Sequence, residues 1–266
     1  MVSTDSAFAG SIPEFYHRCL GPFLFEPYAA DLAERAAGLR PQRILETAAG
    51  TGIVTAALVR AVPEAEIVAT DLNPDMLRVA ADEVDSPSVA FAPADAQSLP
   101  FADAGFDLVV CQFGAMFFPD RVAAYGEARR VLKPGGVFLF NVWDRLETNP
   151  ASQAVSDAVA ALFPDDPPSF IVRVPFGYHD KGRIEADLRA AGFAQIDSET
   201  VAKRSRGAAR DLAPGLCQGS PLRAEIEARA ADRLDEATEA AVAALVRRFG
   251  DPVDNAMSAH VFTARA

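Results

Sequence analysis

Cysteine, histidine, tryptophan and positive charge are all scarce in this chain of 266 residues. The three cysteines, Cys19, Cys111 and Cys217, stand far apart with no CxxC pair, which excludes a disulfide framework and leaves no metal-ligand pattern. They suit a reducing, cytoplasmic setting. Histidine occurs three times, as His17, His179 and His260, so candidates for a general base are few. No apolar run reaches the roughly 18 residues that a membrane helix needs. The opening Met1 to Ser6 lacks the basic stretch of a secretion signal. Against 37 Asp and Glu there are 25 Lys and Arg, a net charge of −12, which argues against a nucleic-acid partner. The basic clusters present (Lys203, Arg204 and Arg206; Arg129 and Arg130) read as solvated edges and helix ends.

Hydrophobic residues are abundant, at 50%, so a sizeable core in one domain over 1–266 is easily supplied. From about residue 43 to 143, short apolar runs alternate with helical patterns. Strands are expected at Arg43–Thr47, Glu66–Thr70, Val89–Ala92, Phe106–Phe113 and Val137–Trp143. Helices fall between them: Val54–Ala61, one opened by Asn73-Pro74-Asp75, and Arg121–Leu132. Lys133 to Gly136 reads as a turn. Alternation of this kind means a parallel sheet covered on both faces. Later come a helix over Ile184–Ala191, a strand over Ala194–Lys203, helix from Ala224 to Phe249 and a last strand over Ala256–Thr263. Residues 1–40 are expected to form a helical lid segment, rich in aromatics between Ile12 and Tyr28 and broken up by Pro13, Gly21, Pro22 and Pro27.

The first strand runs through Ile44-Leu45-Glu46 into a turn holding Gly50 and Gly52, and the second ends in Asp71. Many dinucleotide folds cradle a pyrophosphate at such a turn. Glu46 would repel it, and Thr55 stands where the third glycine of the dinucleotide fingerprint belongs. A carboxylate there suits a cationic ligand without phosphate, and S-adenosylmethionine (SAM) is one. Asp71 at a strand end can accept from a ribose diol in either ligand class. Asp95 and the Ala96 amide, ending the third strand, can read an adenine edge, with Leu72 and Phe113 as stacking surfaces. An NAD-dependent oxidoreductase on the same sheet therefore stays open as an alternative, as does a SAM-binding partner protein without catalysis.

These residues resemble class I SAM-dependent methyltransferases, in the small-molecule branch typified by ubiquinone/menaquinone-type enzymes. The matching pieces are Leu45-Glu46-x-Ala48-x-Gly50-x-Gly52, Asp71 to Leu77, Asp95 to Phe101, Phe106-Asp107 and Val131 to Gly136. The resemblance implies an α/β, doubly wound, Rossmann-like sheet of seven strands, mostly parallel with an antiparallel last strand. It also implies helical cap insertions at 146–180 and 205–250 on the acceptor side, around a SAM-binding core at 41–145. Carried over, Glu46 serves the methionine ammonium, and Ala48, Gly50, Thr51 and Gly52 line the methionine and ribose. Asp71 takes the ribose hydroxyls, Leu72 and Met76 flank the adenine, and Asp95, Ala96 and Gln97 read it. Cys111, Gln112, Phe113 and Met116 complete the cofactor side. Ala48 departs from a common glycine, and Phe117 stands where relatives often carry a histidine.

For catalysis the candidates are His17 and Tyr16 in the N-terminal segment. The expected partner is a small, partly apolar methyl acceptor, with a pocket drawn from Phe15, Phe23, Phe25, Met116, Phe117, Trp143, Phe163, Phe170 and Phe176. Asp144 and Arg145 are placed facing it or pairing with each other, and His260 in the core. An arsenic-methylating reading of the cysteines lacks a Cys–Cys pair. The apolar N-terminal segment could serve a homodimer.

Overall fold

A computed structural model describes Asp5, Phe8, Gly10 and residues 12–266, so part of the expected 1–40 segment lies outside the described residues. The chain starts on a helix in three parts: α1 (Ile12–Phe15), a π-helical stretch (Tyr16–Phe25) and α2 (Glu26–Leu39). The expected breakers do not break it. At Pro22 the ring would clash with the carbonyl four residues back and can donate no hydrogen bond. The wider π turn accommodates both, and the Glu26 N–H bonds to Gly21 O, five residues back.

Beyond it the alternation is as expected: β1 (Arg43–Glu46), α3 (Ile53–Ala61), β2 (Glu66–Asp71), α4 (Pro74–Glu83), β3 (Val89–Pro93), β4 (Phe106–Gln112), α5 (Arg121–Val131) and β5 (Leu132–Trp143). Then follow α6 (Pro150–Ala160), α7 (Phe170–Arg173), α8 (Lys181–Ala190) and β6 (Gln195–Gly207). The chain closes with α9 (Ala209–Gln218), α10 (Leu222–Arg229), α11 (Leu234–Phe249) and β7 (Val253–Arg265). The seven strands lie in the order β3-β2-β1-β4-β5-β7-β6, and β7 runs antiparallel to both its neighbours.

Register explains which residues became core. Ile44 pairs with Ile67 on one side and Leu108 on the other, and all three are buried. The strands of the centre are apolar at both parities because α2 and α3, on one side, and α5 with α8, on the other, leave neither face to water. Lys133 to Gly136, expected as a turn, lies inside β5. Pairing with β4 jumps from Phe106↔Leu132 to Leu108↔Val137, so these residues form an irregularity in the strand. β6 and β7 also run further than their alternation indicated, paired from Gln195↔Arg265 to Gly207↔Val253.

Strand order reverses between β1 and β4. The crevice beyond their carboxyl ends is where such sheets take ligands, because adjacent helices lie on opposite faces there and leave a gap.

Candidate cofactor and acceptor site

Glu46 ends β1 at the floor of that crevice and is 1% exposed. Its Oε2 accepts from Thr55 Oγ1 at 2.7 Å. Burial pushes the carboxyl up to about 8, the Thr55 hydrogen bond opposes this, and the charge of Asp71 adds to it. Asp71 ends β2, and its carboxylate organises the turn. Gly50 N–H donates to Oδ2 at 2.9 Å, and Asn73 N–H to Oδ1 at 2.8 Å. Burial raises its pKa against those backbone donors. A carboxylate has about four acceptor positions; Oδ1 also accepts from Asn73 Nδ2 at 3.4 Å, so the remaining capacity lies on Oδ2.

These groups open into a cavity of about 350 Å³. Ala48, Gly50 and Asp71 form one end, and Asp95, Ala96 and Gln97 the other. Between them Leu72, a large apolar side chain left 42% exposed, faces Met76, Gln112 and Phe113 across the gap. Asp95 is held by Gln97, whose N–H donates to Oδ1 at 2.9 Å. A small extension of about 30 Å³ reaches Glu46, Thr51 and Gln112. Gln112 donates Nε2 to Phe25 O at 3.3 Å, and its buried Oε1 has no partner among the described residues.

A third cavity, about 60 Å³, lies on the far side of Tyr16. Phe8, Tyr16, Phe113 and Phe117 line both it and the large cavity. Its remaining rings are Phe25, Trp143, Phe170 and Phe176, with Leu20 and Leu24 from the π-helical stretch. Phe113 stacks on Trp143 with centroids 3.9 Å apart and planes 9° from parallel, and Tyr16 stacks on Phe25 at 4.8 Å. Phe113 holds φ at +49°, a strained left-handed conformation for a bulky residue, and its N–H is fixed by Asn141 Oδ1 at 2.9 Å.

Several expected residues sit elsewhere. His17 lines neither cavity: its ring lies 3.0 Å from Thr51 Oγ1 and 3.6 Å from Glu83, so it ties the π-helical stretch to the glycine turn and α4. Gly52 serves packing: at φ +81°, an added Cβ would lie 3.0 Å from Ala80 Cβ. Cys111 is fully buried in β4, with its thiol pushed up to about 12 by burial. Met116 lines the aromatic cavity and not the cavity that holds Asp95 and Ala96. Phe23 packs against Gly207, Phe163 lies under Arg233, and Phe15 pairs with Arg18, so none of them forms the acceptor wall. Asp144 turns to His260 Nε2 at 3.1 Å and to the Ser258 hydroxyl at 2.9 Å, not to the cavity. His260 is the satisfied core histidine that was expected, its other nitrogen 3.0 Å from Thr200 Oγ1.

Other wall residues were not expected. Asn73, read only as a helix start, binds Asp71 and lines the large cavity. Gly114 lets β4 close on the glycine turn, because a Cβ there would lie 2.5 Å from Ala48 Cβ. A glycine straight after a buried strand was the available signal. Phe8 and Phe118 had none: both lie outside any periodic run, Phe8 alone and Phe118 beside Phe117.

Residues 45–140 match the family described as a methyltransferase domain. The ubiquinone/menaquinone biosynthesis C-methyltransferase of Teredinibacter turnerae is 34% identical over 173 residues, 59% of this chain and 70% of that protein. The chain belongs to the class I SAM-dependent methyltransferases of the ubiquinone/menaquinone type. The demethylmenaquinone methyltransferase of Thermus thermophilus is 44% identical over 110 residues, 41% of this chain and 49% of that protein. This methyltransferase-family chain thus spans about half the length of the first curated relatives it matches. Among solved structures, phosphoethanolamine N-methyltransferase 2 of Haemonchus contortus, in complex with S-adenosyl-L-methionine, superposes with a TM-score of 0.64. It is 17% identical and covers 100% of this chain and 60% of that one, a likeness of fold.

The cofactor of this class fits the residues present. Glu46 and the unpartnered Gln112 Oε1 could accept from its ammonium, and among the described residues no side-chain cation lines the turn to bind a pyrophosphate. The oxidoreductase alternative is not favoured.

Proposed function

We propose that the chain transfers a methyl group from SAM to a small, largely apolar acceptor. One juxtaposition carries this reading: the Glu46 carboxyl and the unpartnered Gln112 Oε1 open on one side of Tyr16, and an aromatic cavity opens on the other. When bound, SAM supplies an electrophilic methyl carbon on a sulfonium, and displacement needs donor and acceptor in line and shielded from water.

The chain's own residues do the positioning. Glu46 and Gln112 hold the ammonium, Asp71 the ribose diol, and Asp95 with the Ala96 amide the adenine edge. Phe113 and Trp143 form a rigid wall where the two cavities meet. Tyr16 stays protonated, because burial and the charge of Asp71 raise its pKa well above the usual phenol range. It can donate a hydrogen bond but cannot act as a base. Among the described residues no carboxylate, histidine, cysteine or amine lines the aromatic cavity. The acceptor atom must therefore be nucleophilic already, as a carbanion-like carbon or a neutral amine is.

Calorimetry with S-adenosylhomocysteine (SAH) and with NAD tests the cofactor half: SAH binding alone is expected, and NAD binding alone would end the reading. Transfer of labelled methyl from SAM to a panel of apolar metabolites tests the rest. SAH binding with no transfer across that panel would instead favour a non-catalytic SAM-binding protein.

A single functional unit in a reducing, cytoplasmic compartment is part of this proposal. All three cysteines are free and buried, which supports it, as does the acidic charge for the absence of a nucleic-acid partner. No helix among the described residues is long and apolar enough to cross a membrane. A homodimer through the N-terminal segment is not proposed, because Phe23, Phe25 and Tyr28 are used in the chain's own core.

A further inference from the structure

Besides Tyr16, the aromatic cavity has three side chains that can hydrogen-bond: Ser152, Ser220 and Trp143, whose indole N–H can only donate. Ser220 is committed. Its hydroxyl donates to Leu216 O at 2.6 Å and accepts from Leu222 N–H at 3.2 Å. Ser152, in the first turn of α6, is different. It is 4% exposed, it lines the cavity, and its hydroxyl has no partner among the described residues. A buried hydroxyl left unpaired costs on the order of 1–3 kcal/mol. Thr238, by contrast, donates its hydroxyl to Leu234 O at 2.8 Å.

Resting on the methyl-transfer reading above, we propose that Ser152 determines acceptor specificity. It would bind the one hydrogen-bonding oxygen of an otherwise apolar, uncharged acceptor. Charged acceptors are disfavoured because nothing in the cavity can neutralise a carboxylate, a phosphate or an ammonium. At about 60 Å³ the space takes the oxygen-bearing end of the acceptor. The body lies against Phe8, Tyr16, Phe113 and Phe117, which continue into the larger cavity. Discrimination follows from the asymmetry of hydrogen bonding: an acceptor lacking the oxygen leaves Ser152 dry and unpaired, whereas one carrying it satisfies both groups.

The test uses two isosteric probes, p-cresol and p-xylene, titrated by ligand-detected NMR into SAH-saturated protein. Ser152→Ala is expected to weaken p-cresol by roughly three- to tenfold, the worth of one neutral hydrogen bond. It should leave p-xylene unchanged or slightly tighter. Ser152→Thr, which keeps a hydroxyl, should retain most of the p-cresol affinity. A purely structural role for Ser152 would shift both probes together. Equal shifts, no shift, or failure of either probe to bind the unsubstituted protein at millimolar concentration would overturn the proposal. SAH affinity, read in the same samples, separates the two levels: normal SAH binding with an unresponsive Ser152 removes this inference alone, and loss of SAH binding by the unsubstituted protein removes the methyl-transfer reading.

Discussion

The two halves of the site are built on opposite plans. The polar groups of the cofactor half come from the ends of β1, β2, β3 and β4, between Glu46 and Gln112, and two of the carboxylates are held by backbone donors. The acceptor half is assembled from the N-terminal helix, the segment after β4, β5, α6, α7 and α9, spanning residues 8 to 220, and is almost wholly aromatic and aliphatic. Directed chemistry needs a fixed local backbone, so its residues cluster in sequence. Apolar enclosure needs only surface of the right shape, and any element can supply that.

The contrast can be broken or sharpened by substitution. The largest effect is expected in the acceptor half: Phe170→Ala, at a site 2% exposed, should cost about 3–5 kcal/mol of folding stability in denaturant titration. SAH affinity should stay within about twofold. A tenfold loss of SAH affinity would mean that the halves are not separable.

Asp71→Ala strikes the other half. Losing hydrogen bonds to a charged group should weaken SAH binding by about 1.5–3 kcal/mol, or ten- to a hundredfold, by calorimetry. Unchanged affinity would mean that the ribose lies elsewhere.

Glu46 gives the pH dependence. Its carboxyl sits near 8 with no cation beside it, and an arriving ammonium would pull that value down. At pH 7 binding of SAH should therefore release about one proton, measured by calorimetry in buffers of different ionisation enthalpy, and none in Glu46→Gln. Affinity should rise with pH up to about 8, as Glu46 ionises. For folding the sign is reversed. The folded chain binds more protons than the unfolded one between the usual carboxyl range and about 8, so stability without ligand falls as pH rises through that window. Glu46→Gln should flatten the fall in thermal melts.

Ala48 offers a smaller effect of opposite sign. It holds φ at +52°, a conformation that costs an alanine about 1–2 kcal/mol. Part of that would be offset by chain entropy, so Ala48→Gly should stabilise by about 0.5–1 kcal/mol. The least effect is expected from His17→Ala, with methyl-transfer turnover within about threefold, since its ring pairs with Thr51 and Glu83 and lines neither cavity. A thousandfold loss would restore it as a base.

The legibility of the site follows the same division. Asp71, Asp95 and Glu46 were readable because a strand end is marked by a pattern a few residues long, and Asn73-Pro74 announced the helix that completes the turn. Gly52 was readable as a residue but not in its role, since Ala80, the atom set it must clear, lies in another helix. The π-helical stretch was missed because Pro22 and Gly21 signal a break wherever the wider helical turn is not considered. His17 and Tyr16 are neighbours in sequence, and nothing local tells that one faces Thr51 and the other the cavities.

By itself, then, the sequence determined the parallel sheet, its order of elements and the polar floor of the cofactor cavity, because strand periodicity and turn chemistry act over a few residues. Only the tertiary structure decided which aromatics became wall and which became core, where His17 points, and that Ser152 is left facing an apolar cavity without a partner. Those outcomes depend on how distant segments pack together, and apolar burial has no direction that a short stretch of sequence could record.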